Sequence, residues 1–297
     1  MNAASTPATP PKRVERVIRD RPLHWVGDGF RVRSLLSYAG GNLFDPFLLL
    51  DHAEPHRFAP NPREPGVGEH PHRGFETVTL AYRGELAHRD SAGHGGTLGP
   101  GDVQWMTAAS GLVHEEFHSE RFAREGGVLE MVQLWVNLPA ARKGEAPGYQ
   151  HLPAAGFPVV PLPGGAGSVR VVAGAFAGIT GPARTATPVN LWDADLRPGV
   201  PATLPLPAGH TSLLLVRAGR LRVDAEAVAA GGLVVLSRPG VGVGVEALEP
   251  AEALVLSGEP IGEPVAGQGP FVMNTQQEIR EAVQDFTSGR MGRLGPV

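Results

Sequence analysis

The sequence predicts an all-β chain built as two tandem β-barrels, and three observations carry that prediction. Forty glycines and 29 prolines in 297 residues are too many for a helical protein and suit short strands joined by tight turns. Residues 77–82 alternate Thr77, Thr79 and Ala81 with Val78, Leu80 and Tyr82, the period of a strand. An internal repeat appears when residues 77–86 are laid on residues 212–221, matching Gly84 to Gly219, so the second half reads as a second barrel.

Composition narrows the function classes. Hydrophobic residues make up 42% and charged residues 19%, and no apolar run reaches the length of a membrane span. A net charge of −4 without a dense basic run gives no push toward nucleic acid. The chain has no cysteine, which excludes disulfides and thiolate metal sites. The N-terminus lacks the apolar core of a signal peptide, so the cytoplasm is the expected compartment.

In chain order, residues 1–12 are small, polar and proline-rich, and are expected to be disordered. The first barrel is expected over 13–140, opening with Val14, Val17 and Ile18 in a strand and with His24 and Trp25 as packing residues. Residues 53–69 carry repeated prolines and are expected to be a loop across the mouth of a site. Leu86, His88 and Asp90 share one face of the next strand, and His94 sits in a glycine-rich turn and should be exposed. A strand follows over 128–137, then an Ala/Gly/Pro-rich linker over 141–163, then the second barrel over 164–297. At its end a helix is expected over 275–288. Thr275 and Glu278 have the spacing of a capping box, and Ile279, Ala282, Val283 and Phe286 form an apolar stripe. That stripe should pack on the first barrel, and a fully buried Phe286 would cost about 3 kcal/mol or more to cut back to alanine.

Most of the chemistry lies in residues 70–118. His70 and His72 alternate on one strand and point together, about 7 Å apart at the backbone. His114 and Glu116 do the same on another, so neighbouring strands would gather four N/O donors, a metal site in outline. Counting in twos from His72 reaches Glu76, Val78 and Leu80, which places the histidines and Glu76 on one inner face. Buried imidazoles beside carboxylates are costly unless a cation neutralises the set. On the repeat register Pro205, Pro207 and Thr211 stand where His70, His72 and Glu76 do, so the second barrel should hold no metal, with His210 at its surface.

His-x-His, then Glu76, Gly84 and the string Gly111-Leu112-Val113-His114 resemble the paired metal motifs of cupins. The longer string from Asp45-Pro46-Phe47 through HPHRGFETVT, HRDS, GPGDVQWM and GLVHEEF to QLWVNLP is similar to pirins, a bicupin family. It covers residues 13–140 strongly and returns in Pro270-Phe271-Val272-Met273-Asn274-Thr275. The resemblance implies a bicupin whose metal ligands are His70, His72, His114 and Glu116, with iron(II) as the metal and Mn, Ni, Cu and Zn as alternatives. It also implies quercetin 2,3-dioxygenase activity on a small aromatic substrate with O2, with Glu116 as both ligand and base and Glu76 outside the ligand set. The competing expectation is a metal-dependent regulator acting through a protein partner, and a third is a cupin-type isomerase or hydrolase.

Overall fold

The computed structural model describes residues 9–295. It contains two compact units, each with one seven-stranded and one four-stranded antiparallel sheet. This is the bicupin architecture expected from the sequence. The disorder expected for residues 1–12 falls largely outside the described residues, but Lys12 lies inside them and is buried.

The first unit, named for the barrel that carries residues 70–118, comprises residues 20–157, 182–188 and 260–295 among those described. Its large sheet runs through Gly148–Leu152, Val103–Thr107, Phe75–Arg83, Gly127–Asn137, Phe47–Phe58, Phe30–Ser37 and Leu23–Val26. Its small sheet holds Gly66–His72, Leu112–His118, Leu86–Asp90 and Gly95–Leu98. Ala53, Ala81 and Met131 of the large sheet pack with Leu86 and Leu98 of the small one. Two helices belong to this unit, α1 (Glu120–Glu125) and α2 (Gln276–Thr287). The second unit comprises, among the described residues, 9–19, 158–181 and 189–259. There Trp192, Leu214, Val216, Val234 and Val255 of the large sheet close on Leu204, Leu221, Val243 and Val245 of the small one, an interior filled by apolar side chains. Each such side chain contributes about 1.5–3 kcal/mol on burial.

The unit boundaries depart from those expected. Val14–Ile18 pairs with Leu233–Leu236 and so belongs to the second unit. The stretch expected to be a linker is ordered: Gly148–Leu152 pairs with Val103–Thr107, and Val159–Pro161 pairs with Gly167–Ala173. The expected 53–69 loop shrinks to 59–65, because Phe47–Phe58 and Gly66–His72 extend into it. Pro55 is tolerated beside a register shift between the Leu129 and Met131 pairs, and Pro71 on a strand at the sheet edge, where a missing N–H costs no ladder bond.

Helix α2 has the expected capping box, with Thr275 accepting from the Glu278 N–H and Glu278 reaching back to the Thr275 N–H. Ile279 and Ala282 are buried with Val113, Phe271 and Met273, so the helix packs on the first barrel. Val283 and Phe286 do not complete the stripe and remain 36% and 38% exposed. The buried part of the apolar face is shorter than expected, although the half-exposed Phe286 ring still approaches Phe271 at 6.4 Å between centroids.

The chain has only two lysines, one in each unit, and both are buried. Lys143 Nζ donates to Gly74 O at 2.6 Å, Asn137 Oδ1 at 2.7 Å and Val272 O at 3.0 Å. Lys12 Nζ donates to the carbonyls of Arg238, Ser237 and His210. Three acceptors satisfy each ammonium without a carboxylate, and burial lowers both pKa values, that of Lys143 to about 8.

Candidate metal centre

The site is built across the small sheet of the first unit. Gly66–His72 runs antiparallel to Leu112–His118 with His70 opposite His114. Alternation brings His72 to the same face, and the three rings converge, with centroids 4.2 Å apart for His70–His114, 4.8 Å for His72–His114 and 4.9 Å for His70–His72. One ring nitrogen from each lies within 4.8 Å of the others, and among the described residues this is the one His/Cys/Asp/Glu group so arranged.

The chemistry of the donors fits a metal ion. His70 Nδ1 lies 2.8 Å from Gly68 O and His72 Nδ1 3.3 Å from Pro270 O, so each ring donates from Nδ1 and leaves Nε2 as a lone-pair donor. Both ring nitrogens of buried His114 lack a hydrogen-bond partner, an arrangement costing about 1–3 kcal/mol per group unless something takes up the lone pair. Burial lowers the pKa of His70, and lowers those of His72 and His114 well below the usual imidazole value, with neighbouring imidazoles adding to the effect. Neutral imidazoles are the form that ligates.

Glu116 stands two residues beyond His114 on the same face, outside the three-histidine group. Burial pushes its carboxyl up to about 7, against an opposing hydrogen bond from Thr79. Thr79 Oγ1 lies 3.4 Å from Glu116 Oε1, 2.9 Å from Gln133 Oε1 and 3.3 Å from Gln104 Oε1. Phe75 and Trp135 each approach the His72 ring at 5.1 Å between centroids. This interior is therefore polar around Glu116 and aromatic around His72. A groove of about 570 Å³ runs over the same strands, lined by Arg63, Val67, Arg89, Glu115, Glu116 and Phe117; none of the three histidines lines it.

Glu76 does not share this face. Gly74, at φ +91°, ends one strand and starts the next, so the count in twos from His72 does not carry through. Phe75, Thr79 and Ala81 face the interior, and Glu76 faces the other side of the sheet, where Thr107 Oγ1 donates to its Oε1 at 2.7 Å. Burial raises its pKa too.

Some polar interior residues escaped the sequence reading. His88, opposite Glu116 in the ladder, lies with Nε2 2.6 Å from the Tyr149 hydroxyl. Its strand phase was readable, whereas Tyr149 lay in the expected linker. His94, expected to be exposed, has a side chain 39% exposed while it stacks on Tyr149 at 5.1 Å and lies 3.1 Å from Asp90. His210 is half-buried rather than superficial, its Nδ1 3.1 Å from Ser257 Oγ. Trp25, expected as a packing residue, meets the rings of His56 and Phe58 edge-on at 6.1 Å while staying 51% exposed.

Comparison with known proteins agrees with this geometry. Residues 29–136 match the pirin family model and residues 191–292 match that of the pirin C-terminal cupin domain. A Pseudomonas aeruginosa protein provisionally named a quercetin 2,3-dioxygenase is 52% identical over 283 residues, 95% of this chain and 99% of that protein. Human pirin is 37% identical over 273 residues, 90% of this chain and 89% of its own length. A crystal structure of quercetin 2,3-dioxygenase from Acinetobacter baumannii superposes with a TM-score of 0.92 at 47% identity, covering 96% of this chain and all of that one. No helix among the described residues is long and apolar enough to cross a membrane. With both cupin units matched and the relatives aligned over nearly their whole lengths, the chain belongs to the pirin family.

Proposed function

We propose that the chain is a metal-dependent dioxygenase that opens the heterocyclic ring of quercetin-type flavonols with O2. The carrying observation is the three-imidazole group with Glu116 on the same interior face of the strand. The names borne by the Pseudomonas relative and the Acinetobacter structure support the substrate class.

His70, His72 and His114 would hold the ion, with Glu116 as the fourth ligand. Iron(II) is the metal we favour, with Mn, Ni, Cu and Zn as alternatives, because this donor set does not choose among them. When bound, the metal supplies a Lewis acid that stabilises negative charge on a substrate oxygen and a redox partner for O2. Glu116, the carboxylate on the same strand face as His114, takes the proton of the flavonol enolic hydroxyl. Thr79 orients the carboxylate by donating to it. Phe75 and Trp135 offer an aromatic wall that excludes water beside His72. In the overall reaction both oxygen atoms of O2 are taken up, two carbon–carbon bonds of the heterocycle break and one ring carbon leaves as carbon monoxide.

Metal analysis of freshly purified protein, an anaerobic quercetin titration and then admission of O2 test this reading. One ion per chain, quercetin binding and carbon monoxide release are expected. No turnover with any of the five metals would overturn the enzymatic reading. It would favour a metal-dependent regulator acting through a protein partner, for which the half-exposed Val283 and Phe286 offer an apolar contact.

A further inference from the structure

The C-terminal segment touches both histidine-bearing strands, and beside His72 the contact is tight enough to require glycine. Pro270 O faces His72 Nδ1, and the backbone of Arg73 pairs with the Phe271–Met273 strand through Val272 N to Arg73 O at 3.0 Å. A Cβ on Gly74 would lie 1.9 Å from Val272 O, so the turn after His72 exists only as glycine with the tail seated on it. On the other strand, Gly111 at φ +116° is followed by Leu112, Val113 and His114, and a Cβ there would sit 2.9 Å from Met291 Cε. Ser91 Oγ donates to Met291 O at 2.7 Å and accepts from Val113 N–H at 3.0 Å. Asp285 of helix α2 accepts from Arg73 Nη1 at 2.6 Å.

We propose that residues 270–291 act as a clamp whose docking and metal binding are thermodynamically linked, with Arg73 and Asp285 as positioning residues for His72. The proposal rests on the metal-centre reading above. The tail fixes the ring of one histidine through a carbonyl and the approach of another through Met291, so a bound ion should order the tail. By reciprocity, loosening the tail should release the ion by the same factor.

Cobalt(II) binding to the full chain, measured by chelator competition and by its ligand-field spectrum, tests this. Arg73→Gln and the milder Asp285→Asn should each weaken cobalt binding about tenfold and alter the spectrum, as loss of a group that orients a ligand does. Arg73→Lys should restore both, and Arg280→Gln, on the solvent side of the same helix, should change neither. Cobalt should also slow amide exchange across residues 271–290. Equal affinity in both variants with unchanged tail exchange would overturn the clamp and leave the metal centre standing. A parent protein that binds no cobalt would overturn the metal centre and the clamp with it.

Discussion

The two barrels share a ladder and differ in what they put on its rungs. In the first, Thr79 stands between Gln104 and Gln133. In the second, the repeat places Leu214 at the position of Thr79, between Val234 and Val255. In the small sheets His70 faces His114 in one unit, while Leu204 faces Val243 in the other. The second barrel uses its interior for stability, and the first gives up apolar filling for imidazoles, a carboxylate and amides. Topology supplies the cup, and the choice at a few inward positions decides whether it is filled or functional.

The comparison breaks most readily at the histidines. His114→Ala should weaken metal binding by roughly 100-fold or more, beyond what loss of an orienting group costs, as metal analysis after dialysis would show. Full occupancy in that variant would mean the ion sits elsewhere. Glu116→Gln should keep much of its metal yet lose roughly 10²–10⁴ in quercetin turnover, the usual worth of a general base. Parental turnover in a metal-loaded variant would remove Glu116 from that role.

The contrast can be sharpened from the filled side. Leu214 is fully buried, and Leu214→Ala should cost about 3 kcal/mol in denaturant titration while leaving the metal content of the other unit intact. Lys143 adds a pH signature. Burial lowers its folded pKa from 10.5 to about 8, against the opposing pull of Glu263, Glu278 and Asp45. Between those values the unfolded chain holds the extra proton, so the contribution of Lys143 to stability rises with pH across that window, by about 3 kcal/mol at most. Lys143→Met should flatten that rise in pH-dependent melts. Smallest of all, Phe286→Ala should cost about 1 kcal/mol or less, since the ring is 38% exposed. A loss near 3 kcal/mol would show that Phe286 is covered in solution.

How much of this was legible in the sequence depended on whether periodicity ran unbroken. His70, His72 and His114 were readable because each lies on a strand in regular alternation, and Thr275 with Glu278 because a capping box is local. Glu76 was misplaced because one glycine at positive φ resets the phase between His72 and Phe75, and no pattern of polarity records φ. Periodicity leaves open which face of the 128–137 strand lines the barrel, and so where Gln133 points, since a polar interior and a wet exterior give the same alternation. That Val14–Ile18 pairs with Leu233–Leu236 is a long-range choice of partner, which strand propensity does not encode.

The two sealed lysines make the chain its own reporter of partial unfolding. A lysine-specific protease has two cleavage points, after Lys12 and after Lys143, and each is closed while its own barrel holds its three-acceptor cage. Opening of the second unit alone would trim a short N-terminal piece, whereas opening of the histidine-bearing unit would cut the chain near its middle. The order in which those fragments accumulate under native conditions therefore ranks the local stabilities of the two barrels without any probe being added.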